Sequence, residues 1–122
     1  MAENDEDIFG LEMSQSNCTD STMDFSSTSS VYANGDEVVA KLSTAFNCAM
    51  KAANPKLLVG YHSLTLAINE VSPSGAIAAC KCRSEVNFKF QFPEFKKYKI
   101  EKIYFTIDGA VQSESKIINK SK

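Results

Sequence analysis

Apolar and polar positions alternate most regularly over residues 86–107. Val86, Phe88, Phe90 and Phe92 take every second position, with Asn87, Lys89 and Gln91 between them. Successive side chains of a strand leave opposite faces, so this spacing predicts a strand with one apolar and one wet face. After Pro93 the pattern restarts, and Ile103, Phe105 and Ile107 alternate with Tyr104 and Thr106. That predicts a second half-buried strand, reached through a lysine-bearing bend. Residues 57–71 predict another, because Leu64, Leu66 and Ile68 alternate with Ser63, Thr65 and Ala67. Ser72, Pro73, Ser74 and Gly75 place proline early and glycine late, the order of a reverse turn. Residues 76–83 then read as the return strand of a hairpin. Asp108-Gly109 is a turn dipeptide ahead of a short edge strand within residues 110–118.

A different period covers residues 36–53. Val39, Leu42, Phe46, Met50 and Ala53 recur at spacings of three and four, as on one face of a helix. Asp36 follows Gly35 as an N-cap, Glu37 sits in the first turn, and Asn54-Pro55 closes the segment. The spacing predicts a helix over 36–53.

Residues 1–35 are rich in Ser, Thr and acids and poor in aromatics. Such a stretch buries too little apolar surface to offset its ordering entropy, which predicts a disordered acidic tail. Ile8, Phe9 and Leu11 form an apolar island fringed by acids, a candidate for docking on a protein partner. The expected organisation is therefore a tail (1–35), a folded domain (36–118) and a flexible basic end (119–122). The expected class is α+β, mainly β: one helix packed on a small antiparallel sheet, jelly-roll-like but incomplete.

Charge sharpens this layout. Residues 1–37 carry nine acids and no Lys or Arg, whereas residues 80–122 carry ten basic residues against five acids. The basic residues mingle with aromatics, and Lys89, Lys96, Lys97, Tyr98, Lys99 and Lys102 are the candidate contacts for single-stranded nucleic acid. Lysines neutralise phosphates, and aromatic faces stack on unpaired bases. A lysine-rich solvent face over a phenylalanine core is the plainer account of the same pattern.

The remaining chemistry is sparse. Without a recognisable secretory signal, the cysteines are expected as reduced thiols in an intracellular protein. Cys48, His62, Cys80 and Cys82 are candidate metal ligands, although their spacing lacks the paired Cys-x₂₋₄-Cys of structural zinc sites. Glycines stand alone, carboxylates are scattered and one His is present, so neither a phosphate loop nor a catalytic pair is recognisable. The chain reads as a non-enzyme without a cofactor.

Phe95, Tyr98, Ile100, Ile103, Phe105 and Ile107 form an aromatic turn leading into an alternating strand. This segment resembles one found in jelly-roll coat proteins of small viruses. The stretch from Gly60, Tyr61 and His62 through Ala67, with the turn at Pro73-Ser74-Gly75 and the strand ending Cys82-Arg83, resembles a hairpin in 30K-type movement proteins of plant viruses. The chain departs from both patterns: Lys81 and Cys82 stand where the movement proteins have an aspartate, and the N-terminus is acidic rather than basic. The resemblance implies a virus-encoded movement-type or accessory protein acting on single-stranded nucleic acid. A protein-interaction module using the acidic tail is the alternative, and a self-associating coat-protein fragment is another.

Overall fold

The computed structural model describes residues 9–16, 18, 26–78, 80–93 and 99–119. Among these described residues, nine strands follow in chain order: β1 (Glu12–Gln15), β2 (Thr28–Asn34), β3 (Glu37–Asn47), β4 (Lys51–Val59), β5 (Ser63–Val71), β6 (Lys81–Gln91), β7 (Lys102–Ile107), β8 (Ala110–Ser115) and β9 (Ile117–Asn119). They form two sheets, one in the order β1-β6-β3-β2-β9 and the other in the order β4-β5-β7-β8.

The predicted helix over 36–53 is overturned, and with it the α+β class. The segment is β3, a turn and the start of β4, and no helical element lies among the described residues. The buried positions of β3 are Val38, Ala40, Leu42, Thr44 and Phe46, a strict alternation. A small alanine and a threonine hide this period, whereas Val39 suggests the helical one and is instead 42% exposed. Thr44 tolerates burial because its hydroxyl meets the Ser27 hydroxyl at 2.6 Å. β3 pairs with β6 along the full length of both, from Glu37 opposite Gln91 to Asn47 opposite Lys81. Such long-range pairing and a shared apolar face override weak local helix propensity.

The strands predicted from residues 86–107 both form, as β6 and β7, but in different sheets. Their apolar faces meet across the sandwich, where the Phe88 and Phe105 rings lie 6.0 Å apart and tilted by 50°. Leu64, Leu66 and Ile68 from β5 and Val86 and Phe90 from β6 belong to the same core, with Val38, Leu42 and Phe46 from β3. The turn at Ser72 to Gly75 also forms, with Gly75 N–H bonded to the Ser72 carbonyl at 3.2 Å. It closes no hairpin. The chain crosses to the other sheet, and its next strand, β6, begins at Lys81 beside β3.

The sheets are not purely antiparallel: β5 runs parallel to β7, and β2 parallel to β9. Tight hairpins join β2 to β3 and β7 to β8. Asp108 and Gly109 both adopt positive φ, 52° and 87°, as the right-handed strand twist favours in a two-residue turn.

The region expected to be a disordered tail through residue 35 contributes β1 and β2. Phe9 and Leu11, the island proposed for partner docking, pack against the core, and the Phe9 ring lies 5.4 Å from that of Phe92. Ile8 lies outside the described residues, as do 120–122 of the expected basic end. Polar bridges join the two sheets at both margins. Gln15 accepts the Ala52 N–H at 2.9 Å on one side, and on the other the Ser29 hydroxyl meets those of Ser113 and Ser115 at 2.6 Å.

The cysteines depart from the reduced state expected of them. Cys18 is bonded to Cys82 and Cys48 to Cys80, with Cα separations of 5.7 and 5.6 Å, within the span a disulfide bridges.

Candidate nucleic-acid interface

The corner where β4 turns into β5 carries exposed aromatic and basic groups side by side. Gly60 N–H donates to the Ser63 carbonyl at 2.8 Å, closing a tight turn with Tyr61 and His62 at its tip. A Cβ at Gly60 would approach the Ser63 hydroxyl to 2.8 Å, so the turn favours glycine. Tyr61 is 89% exposed, with its ring 4.0 Å from that of His62.

Two hydrogen bonds fasten the approach to β7 onto this turn. The Lys99 carbonyl lies 3.0 Å from His62 Nδ1, and Glu101 N–H donates to the His62 carbonyl at 2.7 Å. A carbonyl oxygen only accepts, so His62 Nδ1 carries the proton. Lys99 and Lys102 are thereby brought to the same corner as Tyr61. A hollow of about 340 Å³ opens there, lined by Tyr61, His62, Ser63, Glu101, Lys102 and Tyr104. Lys102 Nζ lies 3.3 Å from Glu114 Oε2. The hydrogen bond to Glu114 and the attraction of its charge raise the pKa of Lys102 above the ordinary lysine value. This corner can offer a stacking platform and cationic side chains to an unpaired, phosphate-linked chain.

Of the residues singled out in the sequence, Lys99 and Lys102 gather here. Lys89 does not: it projects from β6 in the other sheet, 3.9 Å from Glu37. Lys96, Lys97 and Tyr98 fall outside the described residues, in the segment that leads into Lys99. Tyr61 and His62 are the additions. Neither carries a charge pattern that would mark it for nucleic acid, and the parallel pairing of β5 with β7 is what sets them against Lys102.

The metal-ligand set is divided. His62 sits at the β4–β5 turn, whereas Cys48, Cys80 and Cys82 sit at the opposite end of β4, roughly 25–30 Å away for a nine-residue strand. Cys18, set aside in the sequence as part of a tail, joins the thiols instead. No helix among the described residues is long and apolar enough to cross a membrane. No protein-family model, curated protein or solved structure matches the chain.

Proposed function

We propose that this chain is a non-enzymatic, virus-encoded protein of the movement or accessory type that binds single-stranded nucleic acid without sequence preference. The observation that carries the reading is Tyr61, almost wholly exposed, ringed against His62 and neighboured by Lys99 and Lys102. An aromatic ring left in water forgoes burial and is free to stack on a base, while the lysines meet the flanking phosphates. The test is fluorescence anisotropy of a labelled single-stranded oligonucleotide at two salt concentrations. Affinity should fall as salt rises, with a logarithmic slope of about −0.7 per phosphate neutralised. Absence of binding at low salt, or affinity indifferent to salt, would discard the proposal.

A second reading, as a protein-interaction module, draws on the outer face of the β3–β6 sheet. Ile118, Tyr32 and Val39 stand in one register row across β9, β2 and β3, and all three are exposed. Such a row suits an apolar partner surface. Tyr32→Ser with Val39→Ser should then abolish partner capture and leave oligonucleotide binding intact.

A further inference from the structure

The four cysteines converge at the end of the sandwich remote from His62. Cys80 immediately precedes β6 and Cys82 is its second residue, so two positions of extended chain carry their side chains to the same side. Cys48 flanks them from the β3 side, with its N–H bonded to the Cys80 carbonyl at 3.0 Å. Cys18 flanks them from the β1 side.

Two disulfides require closeness only within each bonded pair. Here the sulfurs of Cys18, Cys48 and Cys82 all lie within 4.8 Å of one another, although Cys48 is bonded to neither of the other two. The sulfur of Cys80 is bonded to that of Cys48 but stands outside this mutually close set of three, so it adjoins the cluster through Cys48 and must swing toward the other sulfurs to act as a fourth ligand. A tetrahedral zinc site with Zn–S bonds of about 2.3 Å has sulfurs roughly 3.8 Å apart. Side-chain rotations of the freed thiols span that difference.

We propose that the reduced chain holds a zinc-type cation through Cys18, Cys48, Cys80 and Cys82 as a tetrathiolate. Each disulfide takes up two electrons from a phosphine or thiol reductant and two protons, from water in the first case and from the reductant's own thiols in the second, and becomes two thiols. A phosphine leaves as its oxide, its oxygen drawn from water, whereas a thiol reductant leaves as its own disulfide. The cation then displaces four protons, and the site carries a net charge of −2, beside which Lys51 is a favourable neighbour.

Hydrogen bonds hold the segments bearing Cys48 and Cys80 in addition to the sulfur bonds. Asn47 Oδ1 accepts the N–H groups of Ala49 and Ala78 at 3.0 Å, and Asn47 Nδ2 donates to the Ala78 carbonyl at 2.8 Å. Glu70 accepts the Asn47 N–H at 2.7 Å. These bonds clamp the turn bearing Cys48 onto the segment leading to Cys80. A hollow of about 330 Å³ beside Cys18 and Cys48 gives solvent a path to the sulfurs. Sheet register thus assembles ligands that are distant in sequence, which explains why the usual paired spacing is missing.

The test uses the full chain, reduced with a phosphine under exclusion of air and titrated with cobalt(II). One equivalent should produce the ligand-field bands of tetrahedral cobalt with thiolate charge-transfer absorption, and one equivalent of zinc should bleach them. Zinc should also protect all four cysteines from alkylation, counted by mass spectrometry on the unmutated chain. Cys18→Ser should weaken binding by more than the about 10–100-fold that loss of an outer partner costs, and His62→Ala should change nothing. A folded, reduced chain that takes up no cobalt, or in which zinc protects fewer than four thiols, overturns the proposal, as does Cys18→Ser binding like the unmutated chain.

Discussion

The two ends of the sandwich are built in opposite ways. At the thiol end, β1, β3 and β6 converge, two disulfides cross between segments distant in sequence, and the Asn47 side chain makes three hydrogen bonds. At the Tyr61 end, a tight turn and two hydrogen bonds to the approach to β7 hold the chain, and the aromatic ring faces water. The Asn47 side chain of the first end is satisfied by the protein itself, and the Tyr61 ring of the second stands exposed to solvent. Recognition groups are often found on exposed turns that a rigid scaffold positions. The phenylalanine core between the ends is that scaffold.

Removing the scaffold should erase the difference. Phe88 is fully buried between the sheets, so Phe88→Ala should cost about 3–5 kcal/mol. Chemical denaturation would measure the loss, and oligonucleotide binding and thiol protection should fall together as the unfolded fraction grows. A mutant that keeps full stability would argue against the packing of β6 on β7.

Asn47→Ala should act on one end alone. It leaves the N–H and carbonyl of Ala78 and the N–H of Ala49 without their side-chain partner, at a cost of about 1–3 kcal/mol. Equilibrium unfolding should register that loss, while oligonucleotide affinity measured well below the unfolding transition should be unchanged. Equal loss at both ends would mean that the ends are coupled through the sheets.

Tyr61→Ala is the mirror experiment. The ring contributes little to the core, so the denaturation midpoint should stay put, while binding should weaken by about 1–3 kcal/mol, the usual worth of one stacked base. Unchanged affinity would move the interface elsewhere.

The smallest effect concerns Lys102. Glu114 holds this cation in an exposed pair, and Glu114→Gln should release it to phosphate and tighten binding slightly at low salt. The same pair raises the folded-state pKa of Lys102 above its ordinary 10.5. Its contribution to stability is therefore complete below that value and disappears as pH climbs through the raised folded-state pKa. Thermal melts at alkaline pH should show this decline in the parent chain and lose that part of it in Glu114→Gln.

Several elements were legible before any coordinates. Val86, Phe88 and Phe90 alternate with polar residues as β6 requires, and Ile103, Phe105 and Ile107 do the same for β7. Asp108-Gly109 turns the chain where its dipeptide indicates. β3 was not legible, because its inward Ala40 and Thr44 are not apolar markers, and Val39, Leu42, Phe46 and Met50 imitate a helical stripe. β1 and β2 were hidden for a related reason. They carry serines and acids on exposed or half-buried positions and bury little apart from Val31 and Ala33. At the candidate site, Lys99 and Lys102 could be picked out by charge, whereas Tyr61 and His62 could be joined to them only once β5 lay beside β7.

The sequence by itself determined the local terms: which residues prefer a two-faced strand, where the chain turns, and where charge accumulates. These depend on neighbours a few residues away, and period and turn chemistry read them directly. Only the tertiary structure decided that β6 and β7 face each other from different sheets, that Phe9 and Leu11 return to the core, that four cysteines share one end, and that Tyr61 stands beside Lys102. Each is a pairing between segments far apart in the chain, selected by the shared burial of apolar faces, and alternation along a single strand carries no record of its partner.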